Sequence, residues 1–122
     1  MKDLLTKYRR ELHRIPELGF ELYKTRAYIL MDALPVVEKT RALYSSTHEG
    51  HMHACGHDGH MAMLLALAGE LDRIIHTLPH NVLLIFQPAE ETTGGAGDMC
   101  AAGILSKYSV KRIYGFHLWQ IG

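Results

Sequence analysis

The run His53-Ala54-Cys55-Gly56-His57-Asp58-Gly59-His60 constrains this chain more than any other stretch. It packs three imidazoles, a thiol and a carboxylate into eight residues, then passes directly into an apolar helical pattern from Met61 to Leu78. Those are the side chains that bind transition metals. Gly56 and Gly59 let the backbone turn sharply, and on an extended segment Cys55 and His57 point to one side. The pattern predicts a ligand-bearing loop feeding a buried helix that starts near Asp58, the expected N-cap, and ends before Pro79. Met61, Met63, Leu64, Leu67 and Leu71 form its apolar stripe and are expected in the core.

A second group of residues completes the first. Leu83-Leu84-Ile85-Phe86, bounded by Asn81 and Pro88, reads as a buried strand over 82–87. It leads into Gln87-Pro88-Ala89-Glu90-Glu91 and the turn Gly94-Gly95-Ala96-Gly97. Paired carboxylates at a strand end suit metal chemistry, because one can coordinate while its neighbour handles protons. A helix over 98–108 and a strand over 111–118, carrying His117 near its end, follow. Upstream, Leu4, Leu5, Tyr8, Leu12 and Ile15 share one face of a helix over 3–14, stopped by Pro16 and Gly19. A second helical stretch runs from Glu21 to about Leu30, and residues 35–50 read as irregular. The strand-helix-strand rhythm of the second half predicts an α/β layer fold. Strands 82–87 and 111–118 would be parallel neighbours in one sheet, with helix 58–77 on its face.

A chain of 122 residues suffices for one domain with a modest core, and 48% hydrophobic against 21% charged residues is a soluble globular balance. Thirteen basic residues balance thirteen acidic ones, so nothing electrostatic favours nucleic acid or an anionic membrane as partner. No apolar run is long enough for a membrane span, and the N-terminus does not read as a signal peptide. Two cysteines do not make a disulfide framework. Cys55, set among histidines, reads as a thiolate ligand, and Cys100 as a small buried apolar residue. A reducing, cytoplasmic setting is the corresponding expectation. His48, His51, His76 and His80 are expected at the surface.

Five motifs stand in order along the chain: Arg10 to Phe20, Met31-Asp32-Ala33-Leu34-Pro35, Met52 to His60, Gln87 to Glu91 with its glycines, and Gly115-Phe116-His117-Leu118-Trp119. Through them the chain resembles the M20 family of metallopeptidases, in its amidohydrolase branch. That branch holds hippurate hydrolases, N-acyl-amino-acid amidohydrolases, N-acetyl-diaminopimelate deacetylases and plant auxin-conjugate hydrolases. The resemblance implies a partial three-layer α/β/α catalytic domain of a two-metal hydrolase. Carried over residue by residue, Cys55, His57, Glu91 and His117 are metal ligands and Glu90 is the general base. Asp32 supports a site-lining segment, and His53, Asp58 and His60 are supporting residues around the motif. The complete family site holds two divalent ions (manganese, zinc, cobalt or nickel) with a water between them. Glu90 takes a proton from that water and returns it to the leaving amine, so that an N-acyl amino acid becomes a carboxylic acid and a free amino acid.

The resemblance also has departures. In family members the Met-Asp-Ala-Leu-Pro motif ends a strand and usually follows Arg-Ala-Asp. Here Ala27-Tyr28-Ile29-Leu30 runs straight into Met31, which predicts a deletion near 29–31. The chain stops at Gly122, before the family's remaining catalytic strands, its inserted dimerisation (lid) domain and a last metal-binding histidine. Residues 1–122 are therefore expected to be a truncated catalytic domain, inactive alone and holding at most one weakly bound ion. The alternative is a non-catalytic remnant, at most a weak metal-binding module.

Overall fold

The computed structural model describes residues 2–14 and 33–117. Its frame is a pair of helices, α1 (Lys2–His13) and α2 (His57–Ile74), packed against each other. A 3-10 turn, Ile75–Thr77, continues α2, and two short helices follow, α3 (Ala96–Ala101) and α4 (Ile104–Lys107). The expected helices over 3–14 and 58–77 are thus present. The expected helix over 98–108 is two pieces, parted at Ala102 and Gly103, where Gly103 takes φ 73. The second helical stretch, from Glu21 to about Leu30, lies outside the described residues, and 35–50 carries no regular element, as its composition predicts.

Helix α1 buries the side that carries Leu12 and His13, with Leu5, Tyr8 and Arg9 partly covered, while Leu4 stays exposed. In α2 the buried apolar residues are Met61, Ala62 and Ala66, at spacings that put them on one face. Of the expected stripe, Met61 is fully buried; Met63, Leu64 and Leu71 are half-buried and Leu67 is exposed. The core is therefore concentrated at the N-terminal half of α2, where α1 crosses it. Small residues at 62 and 66 allow close approach there.

Among the described residues the expected sheet ladder is absent. Among the described residues the sole strand-like pairing is an isolated antiparallel bridge, Leu34 with Met52, in which each amide donates to the other's carbonyl (2.9 and 3.0 Å). Residues 82–87 and 111–117 make no ladder with each other or with anything else described, and residue 118 lies outside. Apolar strand-like sequence becomes a strand only when a partner backbone takes up its amides and carbonyls. These segments meet none here, and Val82, Leu83, Ile113, Tyr114 and Phe116 remain exposed. Cys100 is exposed as well, not buried, on a six-residue helix whose main helix neighbour is the four-residue α4. No helix among the described residues is long and apolar enough to cross a membrane.

Candidate metal centre

Two tight turns bring the titratable residues together. The first lies at the start of α2. Gly56 precedes the helix at φ 83, a left-handed conformation that costs an L residue roughly 1–2 kcal/mol. Its carbonyl receives the amides of Gly59 (2.9 Å) and His60 (3.2 Å). Cys55 is in a turn and His57 in the first helical residue, so left-handed Gly56 brings them together, not the two-residue alternation of an extended strand. Nor is Asp58 the N-cap: that position is Gly56, and Asp58 sits inside the first helical turn.

The second turn wraps residues 89–95 around one carbonyl. Ala89 is fully buried at φ 56, and its oxygen receives the amides of Thr92, Gly94 and Gly95. Gly95 lies so close beneath Pro88 that a Cβ there would stand 2.1 Å from the Pro88 oxygen. The turn projects Glu90 and Glu91 toward α2. His57 Nε2 lies 3.5 Å from Glu90 Oε2 and 3.7 Å from Glu91 Oε1.

One donor atom each from Cys55, His57 and Glu91 lies within 4.8 Å of the other two. His117 Nε2 is 3.9 Å from Cys55 Sγ. Around a tetrahedral ion, bonded at about 2.0–2.3 Å, ligand atoms stand roughly 3.3–3.8 Å apart. The donor set is thus slightly wider than a closed site, and its carboxylate, Glu91, is exposed enough to swing inward. Thiolate, imidazole and carboxylate together match a borderline divalent cation such as zinc. His60 is buried beside this group, its ring centroid 5.5 Å from that of His57 and 5.1 Å from that of His117. Burial, with the neighbouring His57 and His117, pushes the His60 imidazole below its ordinary 6.5 against an opposing pull from Asp58.

Asp58 faces the other way, into α1, because successive helix residues diverge by 100° about the axis. Its Oδ2 accepts from His13 Nδ1 (2.8 Å) and Arg9 Nε (2.9 Å), and its Oδ1 accepts from the Gly59 amide (2.9 Å). His13 is sandwiched, since its Nε2 lies 3.3 Å from Glu38 Oε1. Glu38 in turn accepts from the Thr40 hydroxyl and from the Ser46 amide (2.6 Å). Tyr44 closes the group, edge-on to His13 and under the Arg9 guanidinium. Asp58 is 0% and His13 2% exposed, so this is a buried ionic cluster.

Its protonation states follow from the partners. The hydrogen bond to Asp58 raises His13 above its ordinary 6.5; burial opposes this, and the Asp58 charge and Glu38 add to it. Burial alone would push the Asp58 carboxyl up, but the His13 hydrogen bond and the charges of Arg9, His53 and His13 outweigh it and hold it below 3.8. Glu38 is likewise lowered: burial pushes it up, and the Thr40, Ser46 and His13 hydrogen bonds prevail. Two carboxylates flanking one imidazole favour its imidazolium form, which can donate from both nitrogens.

Of the sequence-derived candidates, Cys55, His57, Glu91, His117, Glu90 and His60 gather at one place. Asp58 belongs to the neighbouring cluster, and buried His53 sits with it, 6.3 Å from His13 ring to ring. Asp32 lies outside the described residues. Arg9, Glu38 and Tyr44 belong to none of the sequence motifs, and His13 enters only within the Arg10 to Phe20 motif, with no role attached. The available signal was the four-residue spacing of Arg9 and His13 on the same helix face as Leu5 and Leu12.

Residues 31–122 match the sequence pattern of peptidase family M20/M25/M40. An N-acetyldiaminopimelate deacetylase of Bacillus velezensis is 35% identical over 156 residues, taking in 96% of this chain and 41% of that protein. One from Streptococcus gordonii is 36% identical, over 97% of this chain and 41% of its own length. A Bacillus subtilis crystal structure described as a dinuclear metal binding peptidase from the M20 family superposes with a TM-score of 0.76 at 32% identity. It covers 83% of this chain and 39% of that one. The chain thus spans about two fifths of the length of these relatives. With a pattern match over residues 31–122 and a shared backbone trace, this chain belongs to peptidase family M20/M25/M40.

Proposed function

We propose that the protein's chemistry is metal-dependent hydrolysis of the amide bond in N-acyl amino acids, releasing a carboxylic acid and a free amino acid. Cys55, His57, Glu91 and His117 would hold divalent metal, and such an ion supplies acidity to water and polarises an amide carbonyl. Glu90, beside His57 and more exposed than Glu91, takes the proton of the attacking water and hands it to the leaving amine. The observation that carries this reading is the convergence of Cys55, His57 and Glu91 donors within 4.8 Å, with a second carboxylate adjacent. Deacetylase relatives and a dinuclear metal-binding structural neighbour support it. A reducing cytoplasm suits a thiolate ligand. In a complete site two ions, of manganese, zinc, cobalt or nickel, are expected, and in this chain at most one, weakly held.

The same reading takes residues 1–122 as part of a three-layer α/β/α catalytic domain in which a stretch near 29–31 is missing. An alignment of 156 residues against a chain of 122 supports that internal gap. Such a chain alone is expected to turn over little or no substrate. The lack of a sheet ladder among the described residues favours, as second reading, a non-catalytic remnant that keeps only a metal-binding loop.

The test is the purified chain with manganese or zinc, assayed on N-acetyl- and N-benzoyl-amino acids, with Glu90→Gln as control. Metal-dependent turnover that vanishes in Glu90→Gln supports the hydrolase chemistry and overturns the inactivity claim. Metal binding without turnover supports the fragment reading, and turnover that persists in Glu90→Gln removes the assigned base.

A further inference from the structure

We infer that His13, locked between Glu38 and Asp58, is a positioning residue for the Cys55–His57 ligand pair. The inference rests on the metal reading above. Asp58 directly follows His57 and is fully buried. Its two oxygens bridge three donors: the Gly59 amide within α2, and Arg9 and His13 on α1. The first turn of α2 is therefore tied to α1 by charged hydrogen bonds, which are shorter and stronger than neutral ones. With Asp58 fixed on one side of the helix, His57 is rotated by 100° toward Glu90 and Glu91. Cys55 is fixed relative to both through the Gly56 turn.

His13 has a second anchor, which sets it apart from Arg9. Its other nitrogen reaches Glu38, and Glu38 receives the Ser46 amide and the Thr40 hydroxyl. The 38–46 loop, α1 and the start of α2 thus meet on one imidazolium. Two further bonds hold that loop to the end of α1, from the Thr47 amide and hydroxyl to the Arg14 carbonyl (2.8 and 2.6 Å). Arg9 is 41% exposed at its side chain and could be satisfied by water; His13, at 2%, cannot. Groups that hydrogen-bond a ligating residue directly typically affect metal affinity about 10–100-fold, and His13, which reaches the ligands through Asp58, is expected toward the lower end.

The experiment is a cobalt(II) titration of the wild-type chain, His13→Ala, His13→Gln and Glu38→Gln, in competition with a chromophoric chelator. The thiolate-to-cobalt absorption band reports whether Cys55 is in the coordination sphere. The expected result is weaker cobalt binding, toward the lower end of about 10–100-fold, and a diminished band in His13→Ala, with part of the affinity regained in His13→Gln. Glu38→Gln falls between. Affinities within twofold of wild type and an unchanged band in all three variants overturn the inference.

Amide hydrogen exchange of the metal-free chain separates failure of the metal reading from failure of this one. If the wild-type chain takes up no cobalt, the metal reading fails. Positioning is then judged from the Gly59 and His60 amides, which bond to the Gly56 carbonyl. Loss of protection confined to them in His13→Gln or Glu38→Gln supports it; unchanged protection, or a uniform loss along α2, overturns it.

Discussion

Replacing Asp58 with Asn keeps the shape of a fully buried side chain and removes its charge. The carboxylate accepts three hydrogen bonds and donates none. An Asn amide offers one oxygen and one NH2 group. If its oxygen stands where Oδ2 was, the NH2 faces the Gly59 amide; if it flips, the NH2 faces both Arg9 and His13. Either orientation sets donor against donor. A buried unsatisfied group costs about 1–3 kcal/mol, and breaking a buried charge pair by altering one partner about 3–5 kcal/mol. Arg9 is partly solvated and softens the second figure, so about 3 kcal/mol is expected. That is a large share of the roughly 5–15 kcal/mol that stabilises an ordinary domain. The assay is urea denaturation followed by far-ultraviolet circular dichroism at pH 6 and in steps toward pH 2. Because the folded carboxyl lies below 3.8, its contribution is complete above that value and disappears as pH falls through the folded pKa. The gap between wild type and Asp58→Asn should therefore be wide at pH 6 and close in acid. A gap under about 1 kcal/mol at pH 6, or one that does not narrow as pH falls below 3.8, contradicts this assignment.

On the alkaline side, His13 is raised above 6.5, so its stabilisation is full below 6.5 and lost as pH rises through the folded pKa. Urea midpoints should fall from pH 6 to pH 9 in wild type and stay flatter in His13→Gln; parallel profiles contradict this. Met61→Ala empties a fully buried position where α1 crosses α2 and should cost about 2–5 kcal/mol in urea unfolding. Gly95→Ala drives a Cβ to 2.1 Å from the Pro88 oxygen, so the 89–95 turn must shift and carry Glu90 and Glu91 with it. Weaker cobalt uptake is expected in that variant, and unaltered affinity would show that the turn does not aim the carboxylates.

The site was more legible in the sequence than the fold. Cys55, His57, Glu90 and Glu91 are close in sequence to tight turns, and local backbone geometry at Gly56 and Ala89 suffices to aim them. Helix α2 was readable because its apolar spacing and flanking glycine are local signals too. Segments 82–87 and 111–118 have the composition of strands, but a strand is a relation between two backbones, and among the described residues neither pairs with the other or with a third segment. The α1–α2 ionic cluster escaped for a related reason. Arg9 and His13 look like solvated positions on an amphipathic helix until Asp58 and Glu38 arrive from elsewhere in the chain.

The most direct test of the metal centre is the stoichiometry and affinity of zinc or manganese binding by calorimetry, in wild type and in Cys55→Ala, His57→Ala, Glu91→Gln, His117→Ala and Glu90→Gln. At most one weakly held ion is expected in wild type, lost or greatly weakened in the first four variants and retained in Glu90→Gln. Binding that survives loss of Cys55, His57 or Glu91 contradicts that expectation, as does binding that depends on Glu90 alone.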